Sequence, residues 1–220
     1  MKMTGKGIGI GKEKKGIAIT LPAFLLLFCL FFLSSCAPPA VKEVKLIYPS
    51  PPDEPKIVYL ASYKGESDFK KRNILDIIIG EKLAVAELRK PYGVAASGDK
   101  IYVADTQNNV LFVFDTKEKK VTFLGDRAQG RLASPVGIAI DSGGTVFVSD
   151  IKQKRVFGYD ANGDLKIAIG KKDEFKNPVG IAVNNTVGRL YIVDSYGHTV
   201  HVYSTKGEPL FTFGKRGHVE

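Results

Sequence analysis

Histidine is scarce in this 220-residue chain: His198, His201 and His218 are the three present, all towards the C-terminal end. Imidazole alone therefore cannot build a zinc set from ligands spread over the fold. His198 and His201 stand around a strand-like run, where an odd offset sends side chains to opposite faces. Three aspartates, Asp105, Asp150 and Asp194, recur at spacings of 45 and 44 residues. Catalysis needs different groups converging on one point, whereas these occupy equivalent points of repeated units. Each follows an apolar run and precedes a turn, so they read as turn caps accepting backbone N–H bonds. No serine elbow, phosphate-binding loop or cysteine nucleophile is present. No catalytic residue, metal set or cofactor is expected.

Binding remains, and it is sought where the units differ. Gln107, Asn108 and Arg127 in the first, Lys152, Lys154, Arg155 and Lys172 in the second, and Tyr196 and His198 in the third fall in non-repeated segments. Variable loops on a rigid scaffold are where binding resides. A mildly basic set with one Tyr suits an acidic protein, a polysaccharide or a peptide, although solvated charge is the commoner meaning of such residues.

The elements that must position them are short strands. Pro91-Tyr92-Gly93, Pro135-Val136-Gly137 and Pro178-Val179-Gly180 open three units, with the prolines 44 and 43 residues apart. After each comes an apolar run ending in the aspartate, then an aromatic run (Val110 to Asp115, Arg155 to Asp160, Thr199 to Ser204), then a run closed by Gly125, Gly170 or Gly214. Four strands per unit at this period describe the blade of a propeller. The prolines fix φ where a strand begins, the glycines allow close approach near the axis, and Phe112, Phe114, Phe157, Tyr159 and Tyr203 are expected to pack between blades. In a meander the loop between strands two and three and the link to the next blade open on one face, which collects all nine candidate residues.

These phrases resemble the NHL-repeat family of β-propellers over residues 91–216, and less fully over 56–90, with blades at 91–134, 135–177 and 178–220. The resemblance implies an all-β propeller of four-stranded antiparallel blades. It also implies that Ile57 to Tyr63 is an outer strand of the blade that closes the ring. Ser67 would cap a short helix through Ile79, stopped by Gly80; the alternative is a fourth strand at Ile77 to Gly80, in register with Gly125. Amidating lyases of this class hold a central metal with histidines from different blades, a distribution absent here.

The N-terminus is an address. Five lysines precede an unbroken apolar run from Ala23 to Leu33, as in a secretory signal. Leu33-Ser34-Ser35-Cys36 resembles the lipobox of bacterial lipoproteins, which implies cleavage after residue 35 and acylation of Cys36. An uncleaved anchor is the weaker reading, because Thr20 and Pro22 interrupt the run. Cys29 leaves with residues 1–35, so no disulfide is expected. Removing five Lys and one Glu lowers the net charge from +9 to about +5, an ordinary surface value that disfavours nucleic acid. Ala37 after the cysteine resembles the outer-membrane sorting pattern, on the periplasmic side of a Gram-negative envelope. Residues 36–55, with six of the eleven prolines, are expected to form a spacer.

Residues 56–220 hold about three and a half units, whereas a six-bladed ring needs roughly 260 residues at this period. The expectation is a piece of a longer propeller. The alternatives are two copies pairing into one ring, or a small ring closed by Ile57 to Tyr63. The expected function is a lipid-anchored, periplasmic, non-catalytic binding or scaffold module, with protein as partner. A metal-dependent propeller enzyme of lyase or lactonase class and a non-functional fragment are the alternatives.

Overall fold

The computed structural model describes residues 46–69, 86–127 and 129–217, in two compact units, residues 1–60 and 61–220. The signal segment, Cys36, the stretch holding Ile79 and Gly80, and His218 lie outside the described residues. Among the described residues no helix is long and apolar enough to cross a membrane.

In the first unit β1 (Ile47–Tyr48) pairs antiparallel with β2 (Ile57–Val58). Lys56 N–H donates to the Tyr48 carbonyl and Tyr59 N–H to the Leu46 carbonyl, both at 2.9 Å. Of the expected strand from Ile57 to Tyr63, Ile57–Val58 is extended, and its partner here is Ile47–Tyr48. The prolines from Pro49 to Pro55 reverse the chain instead of extending it, and the hairpin so formed gives Ile57–Val58 a local partner. Ser67 lies within a one-turn 3-10 helix, Glu66–Asp68; the rest of the expected helix, through Ile79, lies outside the described residues. The Asp68 carboxylate caps that turn, accepting the N–H groups of Lys64 and Gly65.

The second unit contains three four-stranded antiparallel meanders. The first blade is β3 (Pro91–Ser97), β4 (Lys100–Asp105), β5 (Val110–Asp115) and β6 (Lys120–Leu124). The second is β7 (Pro135–Ile140), β8 (Val146–Asp150), β9 (Arg155–Tyr159) and β10 (Leu165–Ile169). The third is β11 (Pro178–Asn184), β12 (Arg189–Asp194), β13 (Thr199–Ser204) and β14 (Pro209–Phe213). In every blade the register slips within the opening Pro-x-Gly: Pro91 faces Asp105 while Val94 faces Val103, and the same step recurs at Pro135 and Pro178. The repeated phrase is thus a β-bulge that bends the innermost strand.

Between blades lies the core. Ala104, Leu111, Val113 and Leu124 of the first blade pack with Val146, Val148, Phe157 and Tyr159 of the second. Phe147, Val156 and Ile169 of the second pack with Leu190, Ile192 and Tyr203 of the third. Phe112 and Phe114 hold the positions of Phe157 and Tyr159 on the first blade's other face and are buried. Strand alternation turns them away from the second blade, and the rings of Tyr63, tilted, and Phe69, edge-on, lie 5.6 and 6.3 Å from that of Phe114. The lead-in segment thus covers part of the first blade's other face.

The Pro-x-Gly glycines have a measurable reason. A Cβ on Gly93 would sit 2.1 Å from the Val136 carbonyl oxygen, and one on Gly137 would sit 2.3 Å from that of Val179. Adjacent innermost strands approach too closely for any side chain. At Gly180 the nearest atom is a Val193 methyl at 3.5 Å, ordinary contact. Gly93→Ala and Gly137→Ala are therefore expected to cost about 1–3 kcal/mol each, since backbone must shift, and Gly180→Ala clearly less. Chemical denaturation of the three variants checks this ordering.

Candidate binding site

One carboxylate organises the end of each blade. Asp105 is fully buried; one oxygen accepts Arg89 and Lys90 N–H at 2.6 and 3.0 Å, the other Gln107 and Asn108 N–H at 2.9 and 2.8 Å. Asp150 repeats this with Ala133 and Ser134 at 2.6 and 3.0 Å and Lys152 and Gln153 at 3.0 and 2.9 Å. Asp194 does so with Lys176, Asn177 and Gly197 at 2.6, 2.9 and 2.9 Å. Each carboxylate ties the turn between its blade's second and third strands to the chain entering that blade, so both loops open on one face as expected. Burial pushes the carboxyls of Asp105 and Asp194 up, but their backbone donors outweigh it and hold both below the usual carboxylate range.

The turns carry most of the residues singled out from sequence, and several are occupied structurally. Asn109, Lys154 and His198 hold one repeated position, with φ of 59°, 54° and 55°, so Lys154 and His198 close left-handed turns. Asn108 Nδ2 donates to the Glu87 carbonyl at 2.8 Å. The equivalent Gln153 Nε2 donates to the Arg131 carbonyl at 2.7 Å, latching turn to link in the second blade. Tyr196 is exposed at the tip of the third turn, and Lys172 is exposed on the link before the third blade.

Arg127 lies elsewhere. Its guanidinium pairs with Asp164 at 2.6 Å, in the outer turn between β9 and β10. It lines a cleft there with Lys100, Asp115, Lys120 and Asn162. Its arm is long enough to leave the loop and meet an anion on the next blade.

A second cleft, of about 700 Å³, gathers what the sequence placed apart. Lys152 and Arg155 line it with Arg131, Gln129 and Gln153, over a floor that includes Phe157 and Leu165. It holds three cations and no acidic side chain among its lining residues, which leaves a local positive field over an apolar floor. Tyr159 fixes the rim, its hydroxyl donating to the Gly130 carbonyl. Burial first, then the charges of Asp150 and Asp126, push that phenol up, so it remains a neutral donor. The third blade repeats the strut, with Tyr203 donating to Glu174, yet the residue matching Arg131 there is Glu174, and Tyr196 matches Lys152. The cationic cleft therefore belongs to the second blade.

Arg131, Gln129 and Gln153 were not anticipated. For Gln129 and Arg131 the signal is the link between blades: ten residues separate β6 from β7 and eight separate β10 from β11; Gln153 lies in the turn between β8 and β9. Among the described residues no group of three His, Cys, Asp or Glu side chains is placed to share a metal. Both ring nitrogens of His201 face threonine hydroxyls, Thr199 and Thr212, at 3.2 Å.

Comparison with known proteins agrees with this geometry. A model described as a 6-bladed beta-propeller matches residues 85–170, and an NHL-repeat model matches residues 175–203. The chain belongs to the NHL-repeat β-propeller family. Solved propellers share its fold at low identity. Kuenenia stuttgartiensis hydrazine synthase superposes with a TM-score of 0.50 at 17% identity, covering 59% of this chain and 37% of that one. A catalytically inactive virginiamycin B lyase from Staphylococcus aureus, solved with quinupristin, gives 0.50 at 18%, covering 61% and 46%. This NHL-repeat chain thus spans less than half the length of either structure, and the likeness is one of fold alone. No curated protein matches it.

Asp105 and Asp194 bind protons less readily folded than unfolded, so their stabilisation is present above the unfolded carboxyl pKa, 3.8. It is lost as pH falls through their lower folded values. Acid titration followed by circular dichroism is expected to show unfolding below pH 3.8. Asp105→Ala is expected to cost about 2–4 kcal/mol at neutral pH, because it strands buried N–H groups, and to flatten the acid limb.

Proposed function

We propose that this chain is a lipid-anchored, extracytoplasmic propeller that binds an acidic segment of a protein partner without catalysing a reaction. The observation that carries the reading is the cleft of Arg131, Lys152 and Arg155 over Phe157 and Leu165, cationic, apolar-floored and free of carboxylates. An acidic side chain flanked by apolar residues matches both features, and the rigid blade ends hold the cleft open. The anchor reading is supported by Leu33-Ser34-Ser35-Cys36 after an apolar run, with the propeller on the periplasmic side of the outer membrane.

A photocrosslinking residue in place of Gln129 tests the binding in intact cells. It is expected to yield an adduct with another protein that disappears when Arg131, Lys152 and Arg155 are all changed to Ala. An adduct that survives the triple change, or none, contradicts the reading. Exposed charges contribute about 0.2–1 kcal/mol apiece, so the triple variant is expected to bind a fluorescent Glu- and Leu-containing peptide on the order of tenfold more weakly. Added salt is expected to weaken the unaltered protein similarly.

The anchor is tested separately. Cells fed an alkyne fatty acid are expected to label the chain, and Cys36→Ala is expected to abolish the label; label retained in that variant excludes Cys36 as the site.

A further inference from the structure

The third place of β5, β9 and β13 is held by a ring in every blade: Phe112, Phe157 and His201. On the first and third blades a second ring stands edge-on to it. Phe123, the cross-strand partner of Phe112 on β6, lies 5.0 Å away at 81°. Phe175, on the link entering the third blade, lies 5.0 Å from His201 at 88°. Edge-on pairs at such distances are a favoured arrangement of aromatic rings.

The second blade has a small or aliphatic side chain at both places. Ala168 is the cross-strand partner of Phe157, where the first blade has Phe123 and the third has Thr212. Leu132, three residues before Pro135, stands where Phe175 stands before Pro178. Each meets the glycine that closes the preceding blade, since a Cβ on Gly125 would lie 2.3 Å from Leu132 and one on Gly170 would lie 3.0 Å from Phe175. Among the described residues the one ring beside Phe157 is therefore Tyr159 on its own strand, tilted at 6.5 Å. Ala168 is exposed, and with Phe157 and Leu165 it lines the cationic cleft. Arg155 stands two residues before Phe157 on the same face, a place held by Val110 in the first blade and Thr199 in the third. The second blade alone of the three sets a cation beside this floor.

We propose that the cleft takes an aromatic side chain of the partner, edge-on to Phe157 and beside Ala168 as Phe123 is to Phe112, while a partner carboxylate two residues away meets Arg155. This rests on the reading of the cleft as a protein-binding site and adds the sequence that the site reads. Two residues of extended chain span about 6.6 Å, the same step that separates Phe157 from Arg155 along β9. An aromatic and an acidic residue at i and i+2 of an extended segment therefore share one face and match the two places together, in either chain direction. Ala168 sets the specificity, because a ring at that position would close the slot from within, as Phe123 does in the first blade.

The full chain in detergent is titrated with two fluorescein-labelled peptides, Phe-Ser-Glu-Ser-Phe and Ala-Ser-Glu-Ser-Ala, which present the spacing in both directions. The aromatic peptide is expected to bind about tenfold more tightly. Ala168→Phe is expected to bind both peptides alike, with the loss of affinity in added salt retained. Equal binding of the two peptides by the unaltered chain, or a preference that survives Ala168→Phe, overturns the ring slot and leaves the cationic site standing; binding of neither peptide overturns both. Should Ala168→Phe unfold, alanine-methyl NMR of the unaltered chain supplies the decision, with the Ala168 signal identified by its loss in Ala168→Ser. That signal is expected to shift with the aromatic peptide and not with the other. An Ala168 methyl unmoved by the aromatic peptide overturns the proposal.

Discussion

The candidate site depends on the Asp150 carboxylate. Its two oxygens accept four backbone N–H groups, two from the link entering the second blade and two from the turn leaving β8. A buried carboxylate with full coordination is stable, whereas the same loops without it would leave four donors unsatisfied. Arg131 stands on one side of this junction and Lys152 and Arg155 on the other. Gln153, whose amide latches to the Arg131 carbonyl, and Tyr159, which holds Gly130, reinforce it. Cations that repel one another are kept together because backbone geometry has been fixed by a neighbouring anion.

The same device occurs on all three blades, but the chemistry it supports does not. Where the second blade presents Arg131 and Lys152, the third presents Glu174 and Tyr196 and the first Glu87 and Gln107. The scaffold is repeated and the charge is not, as expected of a fold that keeps its packing constant and varies its loops. Packing imposes its own demand. A blade cannot bury two apolar faces by itself, and the contrast between Leu124 or Ile169 and Phe213 shows how completely a neighbour changes the exposure of one repeated position.

The blades were legible in the sequence because their signals are local and repeated: a bulge at each Pro-x-Gly, alternation along β4, β8 and β12, and a carboxylate before each turn. The turn-capping role assigned to the aspartates follows from the same locality. The candidate site was legible only in part. Lys152 and Arg155 were picked out by charge, but Arg131 meets them through a link whose path is set by Asp150 and Tyr159, contacts spanning 16 to 29 residues. Arg127 was misplaced because a long side chain can leave its loop for an anion on another blade. The hairpin at Ile47–Tyr48 and Ile57–Val58 was missed because proline density was read as extension.

The central claim is that one carboxylate couples the two loops that form the cationic cleft. Amide hydrogen exchange at Ala133, Ser134, Lys152 and Gln153 measures that coupling residue by residue. The account predicts that all four are protected in the unaltered chain and that Asp150→Ala releases all four together, while Gln107 and Asn108, held by Asp105, keep their protection. Loops that exchange independently of each other, or four amides whose protection survives Asp150→Ala, would contradict it.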